Sequence, residues 1–420
     1  MPLPNTLAFP KLRAVDVRPA KDQPGAYQLA DPSGIAPVAF TVSGATLAIL
    51  SRMDGKHDRP DIQVDFLRRF GRMLFSDELD GLIRQLDQAL FLDGPAFEAH
   101  LRGLEVEYRR ATTRPIHNAD ALGAPTEKLG EYIDSFLNNG PGPGGSATGG
   151  HETPTPIGAG QVVGLIAPHL DYARGAPCYA AAYRSLAQRT DAGRFVILGT
   201  NHFGRSCCVV GTSKDFDTPF GVVPHDGAFM EAMNQRLDTN LCANEYDHVR
   251  EHSVELQALL LKHLFADRPI TIAPYLCPDP CGPTGTAPRE GDGVDLKDFA
   301  QALGALVESD DTPTCLIAGA DLSHVGRFFN DDRDLDVENL RSVEWSDREA
   351  LSHLEAGAPE NFRAAVADRN NDTNICSVGC IYALATALNG RASAKLLHYH
   401  QALVAEHENC VSCAAVEFTR

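Results

Sequence analysis

Tryptophan occurs once and methionine five times in this chain of 420 residues, and nowhere does an uninterrupted apolar run reach the length of about 18 that a membrane-crossing helix needs. The start, MPLPNTLAFPKLRAVDV, also lacks the basic residues, apolar stretch and small-residue cleavage site of a secretory signal. A cytoplasmic protein with no membrane partner is expected. Basic charge is scarce as well: 37 Lys and Arg stand against 56 Asp and Glu, a formal charge of -19. Such a field repels a phosphate backbone, and no local basic cluster overrides it, so nucleic acid is not an expected partner. Cysteine, by contrast, is plentiful, with eleven residues spread along the chain. Without a secretion signal these read as reduced thiols or metal ligands rather than a disulfide framework. Cys178, Cys242 and Cys315 sit in apolar surroundings, where a thiol behaves as a small hydrophobe.

The length exceeds what one core usually supports. The clearest break is the run NNGPGPGGSATGGHETPTPIGAG at 138–160, whose glycine, proline, serine and threonine leave little to bury. We therefore divide the chain into a small helical domain over 1–110, a connecting segment and flexible linker over 111–160, and a large domain over 161–420. In the small domain, TVSGATLAILSRMDG reads as a helix ending at Gly55, and RPDIQVDFLRRF as an amphipathic helix burying Ile62, Phe66 and Phe70. SDELDGLIRQLDQALFL reads as a third helix, with Ser76 as its cap and Leu79, Leu82, Ile83, Leu86 and Leu90 on one face. Phe91 and Leu92, followed by the turn pair Asp93-Gly94, suggest a β-wing. Over 28–97 this order resembles the PqqD-like winged-helix family. A winged helix often binds DNA, but residues 1–108 are slightly acidic, which favours docking of peptides or domains.

Beyond the linker, short apolar runs alternate with longer amphipathic ones, the mark of α/β architecture. QVVGLIAP, RFVILGT, ITIAPYL, TCLIAGA, AKLLHYH and CAAVEFT read as strands of a central sheet covered by helices on both faces. Three histidines follow such strands: His169, His202 and His324. In open α/β sheets the loops beyond the carboxyl ends of the strands converge on one crevice. One loop histidine alone is ordinarily a hydrogen-bonded surface residue. Three in equivalent places point to a shared ligand cluster, since imidazole is the commonest transition-metal ligand.

The motifs APHLDY (Ala167 to Tyr172), ILGTNH (Ile197 to His202), EHSVELQ (Glu251 to Gln257), GADLSH (Gly319 to His324) and DTNIC (Asp372 to Cys376) follow one another in the order found in the Memo family. The large domain thus resembles that family and, through it, the fold of class III extradiol dioxygenases. The resemblance implies metal ligation by His169, His202 and Cys376, with His324 as a further ligand or as acid or base, and with His252 and Asp321 as nearby catalytic candidates. It also implies membership of the AmmeMemoRadiSam system, whose partners are a radical SAM enzyme and an Ammecr-type protein. Two motifs depart from the family: His169-Leu170-Asp171-Tyr172 stands where many members read His-Ala-Gly-Tyr, and Asn201 replaces a serine before His202.

A thiolate in place of the dioxygenase carboxylate suits iron or copper and also zinc, so donor type leaves the metal open among the three. The expected activity is that of a mononuclear iron or copper enzyme that activates oxygen or carries out redox chemistry on a small molecule or peptide. Two alternatives remain at this point: a non-catalytic peptide-docking or signalling protein, and a zinc hydrolase that uses Asp321 or Glu255 as its base. Asp171 either caps the following helix or orients a ligand histidine. Glu251 and Glu255 read as favourable first-turn charges of a helix. Cys410 and Cys413 share a Cys-x-x-Cys spacing, but no second pair completes a zinc ribbon, so they read as a loop cysteine and a buried strand cysteine. Cys380 is expected to pack behind Cys376.

Overall fold

A computed structural model describes residues 7–20, 23–139, 160–289, 291–333, 335–404 and 408–420. The chain divides into two compact units, Met1–Arg110 and Ala111–Arg420. The glycine-rich stretch expected as a linker falls almost wholly on 140–159, outside the described residues.

In the first unit, strands β1 (Asp16–Pro19), β2 (Ala26–Ala30) and β3 (Phe40–Ser43) form an antiparallel sheet in that order, followed by helices α1 (Gly44–Leu50), α2 (Arg59–Phe70), α3 (Ser76–Gln88) and α4 (Pro95–Arg110). The helix expected from Thr41 starts later because Phe40–Ser43 pairs with β2 and Ser43 then caps α1, accepting from the Thr46 amide. Helix α2 opens on a reciprocal box between Asp58 and Asp61 and closes at Gly71 in the left-handed region, φ 66°. At α3 the cap is Phe75 rather than Ser76; the Glu78 carboxylate accepts from the Phe75 amide. Ile62, Phe66, Leu79, Ile83, Leu86, Phe91 and Leu92 meet in one apolar core. Leu92 makes a single bridge to Leu12.

The second unit begins before the expected boundary at 161. Strand β4 (Thr113–Pro115), two 3-10 turns and helix α5 (Leu129–Asn139) are built into it, and Leu129, Ile133, Phe136 and Leu137 are buried in its core. There follow β5 (Val162–Ala167), α6 (Tyr172–Arg189), β6 (Arg194–Thr200), β7 (Val210–Gly211), β8 (Asp215–Thr218), β9 (Gly221–Val223), α7 (Gly227–Leu237) and α8 (His252–Leu264). Next come β10 (Thr271–Cys277), α9 (Leu296–Ser309), β11 (Thr314–Gly319), β12 (Asp321–Gly326), α10 (Val337–Glu355), α11 (Pro359–Ala367) and α12 (Val378–Leu388), and the hairpin of β13 (Ser393–Val404) and β14 (Asn409–Thr419) ends the chain.

The main sheet runs β12-β14-β5-β11-β6-β10-β7, with β13 paired to β14. Its centre, β5-β11-β6-β10, is parallel, and the flanking strands are antiparallel. Alternate residues of each central strand go to opposite layers. Leu165, Phe195, Ile197 and Ile317 pack with α5, α6 and α8, whereas Ile166, Val196, Leu198 and Leu316 pack with α9 and α12. Two apolar faces explain why these strands read as continuous hydrophobic runs. The covered sheet expected from the sequence is thus the observed one.

Beneath the β12–β14 edge lies a polar knot. The Asp347 carboxylate on α10 has no solvent exposure and accepts from Ser323 Oγ at 2.6 Å, Tyr399 OH at 2.8 Å and Ser412 Oγ at 2.5 Å. Burial outweighs those donors and pushes Asp347 up to about 6. A carboxyl whose folded pKa is raised holds its proton more tightly in the native state. Its contribution to stability is therefore fullest below about pH 4 and is lost as pH rises to about 6, a change of about 3 kcal/mol. Urea unfolding of Asp347→Asn should lose this component: the stability difference between the two proteins should shift by about that amount between pH 4 and pH 7. A difference that does not depend on pH would disprove it.

Candidate metal centre

The carboxyl ends of β5 and β6 deliver the first groups. His169 follows β5 after Pro168, and His202 follows β6 after Asn201. From the other side comes the first turn of α8, which begins at His252. It can approach the sheet because Gly199 and Gly319 carry no side chain: a Cβ at Gly199 would lie 2.4 Å from Ser253 Oγ, and one at Gly319 2.2 Å from the Ser253 carbonyl oxygen. Ser253 Oγ also accepts from the Thr200 amide at 3.0 Å and donates to the Thr200 carbonyl at 3.2 Å, which ties α8 to the end of β6.

The three rings meet. Centroids of His169 and His202 are 4.9 Å apart, those of His169 and His252 5.1 Å, and those of His202 and His252 5.0 Å. One ligating atom from each lies within 4.8 Å of the others. Cys376 joins them, its Sγ 3.5 Å from His169 Nε2 and hydrogen-bonded also to His202. Its loop is set by asparagines. Asn370, Asn371 and Asn374 take left-handed conformations, and the Asn371 side chain bonds both the amide and the carbonyl of Ile375, at 2.7 and 2.9 Å. The His324 amide donates to the Thr373 carbonyl at 2.7 Å, pinning this loop to β12.

His169, His202 and His324 are each held through Nδ1. His169 Nδ1 lies 2.9 Å from the Gly319 carbonyl, His202 Nδ1 3.1 Å from Glu251 Oε1, and His324 Nδ1 2.9 Å from the Leu322 carbonyl. A carbonyl fixes the tautomer with hydrogen on Nδ1 and the lone pair on Nε2, the state in which imidazole binds a metal. His252 Nδ1 is 3.4 Å from the same Glu251 oxygen. The Asp321 Oδ1 atom accepts from the amides of His169 and Leu170 at 3.0 and 3.2 Å, and its Oδ2 is 3.4 Å from His169 Nε2.

Charge in this pocket follows from burial and neighbours. Burial pulls His202 down, but the adjacent Glu251 carboxylate outweighs it, so that His202 titrates well above its usual range. Glu251, despite burial that opposes ionisation, is held below the ordinary carboxylate range by the His202 imidazolium. Burial likewise pushes the Cys376 thiol up, yet His169 and His202 bring it down to about 6. Burial depresses His252 to about 3, lowers His324 and raises Asp321 to about 6. Near neutral pH the pocket accordingly holds a Cys376 thiolate beside a His202 imidazolium, with His252 and His324 neutral. Neutral imidazoles and a thiolate form a donor set that fits a borderline-to-soft transition metal.

Against the sequence reading, His169, His202 and Cys376 come together. His324 lies on β12 rather than in a loop after a strand, with its ring 5.0 Å from Phe329, and it is His252 that closes the three-imidazole group. Asp171 proves to be the cap of α6, accepting from the Arg174 amide at 2.9 Å. Glu255, weighed as a hydrolytic base, is fully buried with its Oε2 2.6 Å from Arg114 Nη1. Glu251 had read as a first-turn charge only; its position as the cap of α8, immediately before a histidine, was the available signal. Cys410 and Cys413 are both buried in β14, so neither lies in a loop, and Cys380 packs with its thiol against the Ser377 and Gly319 carbonyls.

Residues 124–417 match the sequence family described as Memo-like protein. A MEMO1 family protein of Aquifex aeolicus is 25% identical over 413 residues, which cover 97% of this chain and 99% of that one. One from Thermus thermophilus is 27% identical over 342 residues, 80% of this chain and 92% of its own. A third, from Methanopyrus kandleri, is 25% identical over 309 residues, covering 71% and 95%.

The electrostatics predict selective thiol chemistry. In chelator-treated protein, Cys376 should alkylate with half-maximal rate near pH 6, whereas Cys380 and Cys410, both pushed by burial up to about 12, stay inert. Peptide mass mapping across pH 5 to 9 reads this directly, and labelling of Cys376 only above about pH 8, the ordinary thiol range, would refute the thiolate.

Proposed function

This chain belongs to the Memo family, and we propose that its crevice binds one transition-metal ion through His169, His202, His252 and Cys376 and serves as a mononuclear redox centre. What supports the reading is a single pattern: the three imidazoles converge while His169 and His202 are anchored through Nδ1 to a carbonyl and a carboxylate, the arrangement usual for metal-ligating histidines. Iron or copper there would supply electron transfer, activation of oxygen or polarisation of a bound substrate.

The protein's own groups have distinct tasks. Cys376 offers a preformed thiolate, so no thiol proton has to be removed at neutral pH. Glu251 holds His202 by its backbone amide and its ring at once, at 2.9 and 3.1 Å. Asp321 fixes the backbone at His169. His324, neutral because burial lowers its pKa, keeps Nε2 for accepting a proton from a substrate at the edge of the cluster. Of the two carboxylates that a zinc-hydrolase reading could use as base, Glu255 is committed to Arg114, which leaves Asp321, whose Oδ1 accepts from the His169 and Leu170 amides.

Protein purified anaerobically should carry one iron or copper per chain by elemental analysis, and His169→Ala, His202→Ala and Cys376→Ser should each remove most of it; stoichiometric metal in all three variants would refute the site. Affinity should also depend on pH. Metal must displace the proton that Glu251 retains on His202, so binding should strengthen about tenfold per pH unit through neutrality. It should weaken more steeply below pH 6, where Cys376 also takes up a proton. Competition titrations at three pH values test the sign, and a flat profile contradicts the charge assignment.

A further inference from the structure

Arg114 is a cation with no solvent exposure, placed on β4 far from the metal-binding motifs in sequence. Every nitrogen of its guanidinium fork donates a hydrogen bond. Nε donates to the His248 carbonyl at 2.6 Å, Nη2 to the Glu251 carbonyl at 2.8 Å, and Nη1 to Glu255 Oε2 at 2.6 Å. One face lies over the Phe216 ring, 4.9 Å from its centroid. Glu255, equally buried, also accepts from the backbone amides of His117 and Asn118, at 3.0 and 2.9 Å. Asn118 Nδ2 in turn donates to the Arg250 carbonyl at 3.2 Å. The strand is thereby sewn to residues 248–251 and to the first turn of α8.

A buried ion pair contributes little net stability, because removing two charges from water costs about as much as their attraction returns. What it fixes is geometry. Of the four guanidinium bonds, the last from Nη1 to the Pro115 carbonyl, two go to main-chain carbonyls of the turn that delivers Glu251 and His252, and Glu251 orients His202. We propose that Arg114 is a positioning residue of the metal centre: it clamps the 248–251 turn and so sets the places of His252 and, through Glu251, of His202. The inference rests on the metal-binding reading above. It also draws into the centre a strand that precedes residues 124–417, the span matched by the Memo family. Lysine cannot substitute, since a single ammonium lacks the planar fork that reaches two carbonyls and a carboxylate together.

The test uses the full chain with Co(II) and Cu(II) as probes. Arg114→Lys keeps a charge opposite Glu255 and serves as the variant that folds if Arg114→Met does not; melting temperature and circular dichroism establish this. Both variants should bind Co(II) about ten- to a hundredfold more weakly, the usual effect of losing a group that orients a ligand, and the visible spectrum of Co(II) and the Cu(II) electron paramagnetic resonance signal should change. Combined with His252→Ala, the loss from the Arg114 substitution should shrink; combined with Cys376→Ser, on a separate loop, it should persist in full. Hydrogen exchange of the metal-free protein should quicken at residues 248–253. Unchanged affinity and spectra in the folded variants would overturn the proposal, as would equal coupling to His252 and Cys376 or unaltered exchange at 248–253. If the unaltered chain takes up neither probe, the metal reading fails instead, and the exchange measurement decides the clamp alone.

Discussion

A carboxylate hidden from solvent organises this centre. Glu251 accepts from the backbone amide of His202, bonds the ring of His202 through Nδ1, and caps α8 through the Ser253 amide at 2.9 Å. An unpaired buried charge would be costly, so each of these partners is obligatory. The same requirement ties three chain segments together: the loop after β6, the start of α8, and the 248–251 turn whose carbonyls meet Arg114. Remove the carboxylate and His202 loses both its charge partner and its orientation.

The sheet supplies the frame for this interaction. Its four central parallel strands end at one edge, where successive loops must lie close together. Close approach of α8 then depends on absent side chains at Gly199 and Gly319, the ends of two neighbouring strands. Burial on both faces keeps water out of the layer beneath, and that dryness gives the electrostatics their size. In water Glu251 and His202 would shift each other little; enclosed, Glu251 moves His202 up, while His169 and His202 bring the Cys376 thiol down to about 6.

Much of this was legible beforehand. β5, β6, β10 and β11 read as strands because, buried on both faces, they must be apolar throughout, and α6, α8, α9 and α12 showed helical spacing between them. His169 and His202 were found because each follows a strand directly. The segment 113–139 was not legible as part of the large unit. Its apolar residues Leu129, Ile133, Phe136 and Leu137 make an ordinary helical stripe, and nothing local says which core receives it. Nor was β12: its buried polar residues Asp321 and Ser323 are satisfied by distant partners, His169 and Asp347 among them, so the stretch lacks a strand's apolar signature.

Local pattern carried the α/β class, the succession of central strands and helices along the chain, and His169 and His202 as groups that could share an ion, since hydrophobic period and residue type are local properties; Cys376 as a third ligand came only through the resemblance to the Memo family. Tertiary structure alone decided that His252 rather than His324 closes the three-imidazole group, and that Glu255 is spent on Arg114. It also decided that the Cys376 thiol sits among cationic and neutral imidazoles rather than in apolar core. The physical reason is common to all three: hydrogen-bond partners, desolvation and electrostatic neighbours are fixed by residues scores of positions apart, and no local pattern records which of them the fold will bring within 4 Å.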